Sequence, residues 1–153
     1  MLIDEQYKKQ LIKHLSEFIT EDRLALFYDN LKQRTSRITI VLEDIFHSQN
    51  ASAVLRTADC FGIQNIHIIE NRNQHNINHN VSLGSSKWLT ETFYNKSENN
   101  TKECLQNLRK DGFRILATTP RNAKSIHDID LNNEKIALLF GAEQEGLSDL
   151  SLQ

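Results

Sequence analysis

Proline and cysteine are nearly missing from these 153 residues: Pro120 is the only proline, and Cys60 and Cys104 are the only cysteines. The two cysteines lie far apart without CxxC spacing, which suggests neither a zinc site nor a disulfide framework. Cys60 falls in an apolar helical context and reads as a small buried residue. Basic residues are not in excess, at 18 Lys and Arg against 20 Asp and Glu for a net charge of -2. A nucleic-acid partner would therefore have to be met by a local basic patch. No apolar run is long enough to span a membrane, and Met1-Leu2-Ile3-Asp4 begins no signal peptide, so a soluble, cytoplasmic chain is expected. Internal repeats and flexible linkers are absent too. What remains is 39% hydrophobic and 25% charged, an ordinary balance for one domain with a real core.

The most informative stretch runs from Ile38 to Ala58. Ile38, Ile40 and Leu42 alternate with Thr39 and Val41, as a largely buried strand would. Glu43, Asp44, His47, Ser48 and Gln49 then break the apolar run, and Ser48 or Asn50 can cap a helix. Ala51, Val54, Leu55 and Ala58 follow at helical spacing. A strand ending in a polar turn before a helix is where open α/β sheets hold ligands.

Before this stretch, residues from about Asp4 to Lys32 read as two helical segments, broken and capped near Thr20 and Asp22. Leu11, Leu15, Phe18 and Ile19 share one face of the first, and Leu24, Phe27, Tyr28 and Leu31 one face of the second. Charges nearly balance here, so the outer face is either simply solvated or in part an RNA contact.

After it, Gly62 ends the helix and Asn65–Glu70 is a second strand, in which His67 is expected to find a local partner. The asparagine-rich run from Asn71 to Asn80 is a loop. His75 and His79 sit four apart, but no helical pattern or acidic ligand accompanies them, which argues against a metal site. Gly84-Ser85-Ser86-Lys87 lacks the second glycine of a phosphate loop. Trp88 is expected in the core. Asn100–Asp111 is an amphipathic helix closed by Gly112. Phe113–Thr119 is a third strand, and Lys135–Phe140 a fourth, apolar enough for the middle of a sheet. Strands alternating with helices, without hairpin signals, predict an α/β fold with a mostly parallel sheet and helices on both faces, preceded by an N-terminal helical extension. The strand ends before Asn50, at Thr118-Thr119-Pro120 and at Gly141–Gly146 then converge on one edge.

Taken together, NASAVLRTA (Asn50–Ala58) and LFGAEQEG (Leu139–Gly146), with RTSRITIVLED before the first and GSSKW between the two, resemble the SpoU family of RNA ribose 2′-O-methyltransferases in the knotted, trefoil-type SPOUT superfamily. The long helical N-terminus resembles the TrmH branch, the tRNA (guanosine-18-2′-O)-methyltransferases. The resemblance implies a helical extension over 1–36 and a methyltransferase domain over 37–153. It also implies a third motif, a proline-ended strand followed by Ser-Leu-Asn and a final helix, which ties the knot and builds much of a homodimer contact. No such segment is found before Gln153, so the domain is expected to be C-terminally incomplete.

The activity implied is transfer of a methyl group from S-adenosyl-L-methionine to a ribose 2′-hydroxyl of tRNA or rRNA, best read as guanosine-18 of tRNA, with no metal and no membrane partner. The resemblance assigns catalysis to Arg56, Asn50 and Glu143, the cofactor side to Thr118, Leu139, Gly141 and Gly146, and RNA contact to Arg56, Lys87 and Arg34. In-line displacement at a sulfonium methyl needs alignment and removal of the hydroxyl proton. Arg56 as proton acceptor conflicts with a guanidinium pKa above about 12. Arg56 as a clamp on a neighbouring phosphate is physically easier. Asn50 would orient Arg56, bind the ribose or cap its helix, and Glu143 would fix Arg56 or the loop through backbone amides. Two other readings compete: an RNA-binding module of the same fold without catalysis, and a nucleotide-binding α/β domain with another ligand.

Overall fold

The computed structural model describes residues 4–120, 123–131 and 134–152; Met1–Ile3 of the opening segment and Gln153 lie outside it. The chain divides into two compact units between Arg34 and Thr35.

The first unit holds α1 (Glu5–Ser16) and α2 (Glu21–Lys32). Thr20 caps α2, its side chain accepting from the Arg23 N–H at 3.3 Å, which supplies an acceptor to an otherwise orphaned donor. Neither helix contains a fully buried residue.

The second unit is an α/β sandwich. Its strands are β1 (Thr35–Glu43), β2 (Ile63–Ile69), β3 (Thr90–Tyr94), β4 (Phe113–Ala117) and β5 (Lys135–Phe140). They form one sheet in the order β3-β2-β1-β5-β4, and every pairing is parallel. The helices are α3 (Ser48–Cys60), the short α4 (His79–Ser82) and α5 (Asn100–Lys110). β1 is central, and its alternating side chains feed two cores. Ile40 and Leu42 pack with Ala51, Leu55 and Ala58 of α3 on one face. Val41 packs with Cys104, Leu105 and Leu108 of α5 on the other. Fully buried Leu42, Leu55, Ile66 and Ile68 each contribute on the order of 1.5–3 kcal/mol of apolar burial. β5, as its composition predicts, is interior.

Three expectations are corrected. Thr90–Tyr94 is a strand that the alternation of its sequence does not announce, because it lies at the sheet edge with two of its five residues even partly buried. Trp88 is 54% exposed rather than core, since it sits just past a 3-10 turn (Ser85–Lys87) leading into that edge strand. Cys60 is exposed, and Cys104 is the buried thiol. Cys60 lies about 200° around α3 from Ala58, off the apolar stripe. Among the described residues no helix is long and apolar enough to cross a membrane.

Candidate active site

The order of the sheet creates a switch point between β1 and β5. From β1 the chain builds outward through β2 and β3, then crosses to β4 and returns to β5. Ligands of open α/β sheets bind outside the strand C-termini at such a point. Leu42 pairs with Ile68 on one side and Phe140 on the other, so the loops after β1, β2 and β5 leave the sheet at one level.

The loop after β5, GAEQEG, folds back on itself. The Gly146 N–H donates to the Ala142 carbonyl at 2.8 Å, and the two residues form an antiparallel bridge. Gly141 is required by space: a Cβ there would stand 2.3 Å from the Gly146 carbonyl carbon and 2.4 Å from the Leu147 nitrogen. Gly146 is required by conformation, with φ +73° in open space, where other residues are strained.

This closed loop projects Glu143 onto the start of α3. Its Oε2 accepts the Phe46 N–H at 3.2 Å, and its Oε1 accepts the His47 N–H at 3.2 Å and the Asn50 side-chain amide at 2.9 Å. Burial acts to raise the Glu143 pKa, but these bonds, with one from its own backbone N–H, hold it below the ordinary carboxylate value. The expected cap at Ser48 or Asn50 is not formed. His47 is the N-cap and lends no side-chain bond; the carboxylate at this positive helix end comes from Glu143 instead. Asn50 is the third residue of the helix.

Arg56 is not brought to this pair. It lies about 9 Å further along α3 and about a third of a turn around it, and it is exposed. Among the described residues its guanidinium makes no hydrogen bond, ion pair or ring contact. Lys87 is exposed in the 3-10 turn before β3, and Arg34 is the last residue of the first unit. Thr118 and Leu139 meet where β4 and β5 end. The Leu139 side chain is fully buried, and its carbonyl accepts both the Thr118 N–H at 3.0 Å and the Thr118 hydroxyl at 2.9 Å. Thr118 is exposed. Thr118, Gly141 and Gly146 thus form an uncharged rim on the β4 side of the loop.

Sequence reasoning missed two carboxylates at the end of β1. Glu43 is 1% exposed. Its oxygens accept the Thr101 hydroxyl at 2.7 Å, the Ser148 N–H at 2.9 Å and hydroxyl at 2.8 Å, and the Ser151 hydroxyl at 2.9 Å. It therefore anchors α5 and the segment after GAEQEG to the sheet. Asp44 has φ 52° and accepts the backbone N–H groups of Asn71 at 2.7 Å, Arg72 at 2.8 Å and Asn73 at 3.3 Å. Burial raises its pKa, and these amides more than offset that, leaving it below the usual aspartate value. The one available signal was an acidic pair directly after a buried strand.

On the other side of the GAEQEG loop, a cleft of about 270 Å³ opens between the loops after β1, β2 and β5. Phe46, His47, Arg72, Glu143 and Glu145 are among its walls. Arg72 is ion-paired with Glu145 across the β2 and β5 loops.

Fold and site together define a parallel α/β domain whose two sequence motifs, 93 residues apart, meet through one carboxylate at the switch point. The chain belongs to the SpoU rRNA Methylase family, whose model matches residues 37–153. It is 44% identical over 135 residues to a tRNA (guanosine(18)-2′-O)-methyltransferase of Borreliella burgdorferi, covering 88% of this chain and 60% of that protein. It is similar in fold to the TrmH/SpoU tRNA modifying enzyme of A. aeolicus, with a TM-score of 0.72, 24% identity and coverage of 84% and 64%. It is also similar in fold to the SpoU methyltransferase AviRb of Streptomyces viridochromogenes in complex with AdoMet, with a TM-score of 0.61, 19% identity and coverage of 81% and 48%. The chain spans about 60% of the length of its Borreliella relative.

Proposed function

We propose that this protein transfers a methyl group from S-adenosyl-L-methionine to the ribose 2′-hydroxyl of guanosine-18 in tRNA. The observation that carries the reading is the Asn50–Glu143 bond at 2.9 Å, which joins the two family motifs at the switch point of the sheet. The Borreliella relative, 44% identical, bears the same activity in its name. A cofactor with a flat adenine and a neutral sugar fits the uncharged rim of Thr118, Gly141 and Gly146, where backbone groups rather than charged side chains set the shape. Leu139 serves that rim from within: its carbonyl holds Thr118 and its side chain fills the core. When bound, the cofactor supplies the electrophilic methyl.

The chain's own residues then have separable tasks. Glu143 holds the Phe46 and His47 amides and aligns Asn50, whose side-chain oxygen stays open to a ribose hydroxyl. Arg56, exposed and without a protein partner among the described residues, is positioned as a clamp for an RNA phosphate, with Lys87 and Arg34 as further basic contacts. A guanidinium stays protonated, so Arg56 steadies charge and geometry and leaves the hydroxyl proton to another acceptor such as the phosphate. A homodimer is part of the same reading.

The test is transfer of labelled methyl by the full-length protein to unmodified tRNA, beside the same tRNA carrying a 2′-deoxy residue at position 18. Transfer to the first alone, abolished in Arg56→Ala while tRNA binding persists, is the expected result. No transfer to tRNA at saturating cofactor overturns the reading.

A further inference from the structure

The cleft on the β2 side of the GAEQEG loop is lined by Glu143 together with Phe46, Arg72 and Glu145, and Arg72 and Glu145 have no task in the assignments above. Its open wall is the Phe46 ring, 68% exposed. A lone exposed phenylalanine is ordinary, but this one has a rigid mount. The Phe46 N–H is held by Glu143 at 3.2 Å, and the His47 ring braces Phe46 edge-to-face, with centroids 5.0 Å apart at 76°. Arg72 and Glu145, ion-paired with each other, line the same cleft. Asp44 stands behind Arg72, its Oδ2 3.6 Å from the guanidinium Nε, and it also fixes the backbone of the Arg72 loop. The cleft therefore offers an aromatic face, and beside it a donor and an acceptor next to one another.

That set distinguishes between the two purines. Guanine presents acceptors at N7 and O6 and donors at N1 and N2, whereas adenine presents a donor at the six-position. A guanidinium beside a carboxylate complements the guanine order and opposes the adenine order. Sequence-specific RNA recognition stacks unpaired bases on aromatic rings and reads their edges. Glu143 lines this cleft and also holds Asn50, so a base seated here has its ribose on the side of the motif residues.

We propose that the cleft is the guanine subsite: the target base stacks on Phe46, Arg72 donates to O6 and N7, and Glu145 accepts from N1–H and the 2-amino group. The ion pair of Arg72 and Glu145 holds both groups in place until the base arrives. This rests on the methyltransferase reading.

The experiment measures kcat and KM for methyl transfer by the full-length protein on tRNA transcripts carrying guanosine or inosine at the target position. Phe46→Ala, Phe46→Tyr and Glu145→Gln are compared, with thermal melting and cofactor Kd recorded for each. Phe46→Ala is expected to lower kcat/KM for tRNA by about 5- to 150-fold, the range for loss of one stacked base, with melting and cofactor Kd unchanged. Phe46→Tyr restores most of the loss. Inosine, lacking the 2-amino group, costs the unmodified protein about fivefold, and Glu145→Gln shrinks that difference. Unmodified protein that transfers well while Phe46→Ala matches it overturns the subsite alone. Phe46→Ala that melts lower and loses cofactor affinity in proportion overturns it as well, because the ring is then packing for the chain itself. Equal use of guanosine and inosine by every variant overturns the role of Glu145. No transfer by the unmodified protein overturns both the subsite and the reading beneath it.

Discussion

Replacing Gly141 by alanine puts one methyl group into the tightest spot of the site. The new carbon would stand 2.3 Å from the Gly146 carbonyl carbon, 2.4 Å from its oxygen and 2.4 Å from the Leu147 nitrogen. Carbon atoms settle at about 3.5–4.0 Å, so the overlap exceeds 1 Å and falls on backbone. That backbone is held at both ends, by the Gly146-to-Ala142 hydrogen bond at 2.8 Å and by the Ser148 N–H on Glu43 at 2.9 Å. The loop must open, at a cost of about 1–3 kcal/mol for overpacking. It also loses the bridge bond and weakens those of Glu143, each about 0.5–1.5 kcal/mol net. The expected loss is on the order of 2–4 kcal/mol. Gly146→Ala is the control: its Cβ meets nothing within 4 Å, and only the φ of +73° opposes it, at about 1–2 kcal/mol. Urea unfolding gives the ranking, and amide exchange at Phe46 and His47 shows whether Glu143 has moved away. Equal midpoints for Gly141→Ala and unmodified protein, or greater damage from Gly146→Ala, would refute the steric argument.

Acid should weaken the fold in two stages. Burial holds His67 and His75 below their ordinary value of 6.5, against opposing charges at Asp111 and Glu70 respectively. The unfolded chain therefore takes up these protons first, and stability falls as pH drops below about 6.5. Asp44 and Glu143, held below 3.8 and 4.5 despite burial, add a second fall beneath those values. Urea midpoints from pH 8 to 3 read both stages, and His67→Gln with His75→Gln should erase the first; an unchanged slope between pH 6.5 and 5 in that double variant would contradict it. Glu43→Ala strands four donors in the interior, at about 1–3 kcal/mol for each one left without a partner. Glu43→Gln should fall between it and the parent, and a Glu43→Gln protein that melts with the parent would show that the charge is irrelevant.

Much of this was readable from periodicity. Alternation marked β1, the apolar run KIALLF marked an interior β5, and the stripe of Ala51, Leu55 and Ala58 marked α3. What escaped was set by distant partners or edge placement. Local capping rules favour Ser48 or Asn50, yet the acceptor at α3 is Glu143, 96 residues from His47. Glu43 reads as surface because carboxylates usually are, and only Thr101, Ser148 and Ser151, brought in by the fold, make its burial possible. TETFY hid as an edge strand with no continuous apolar face.

The separation between Asn50 and Glu143 also sets an order of events during synthesis. Asn50 leaves the ribosome 93 residues before its partner, and at about 5–20 residues per second that gap lasts on the order of 5–19 s. In that interval α3 has no carboxylate at its positive end, and β1 has only its β2 neighbour. Every bond of Glu143 to the α3 turn spans 93 to 97 residues, so a nascent chain stopped short of β5 carries the first motif without its geometry. The turn that starts α3 is thereby left without its acceptor until the sheet has received the strand that completes its centre.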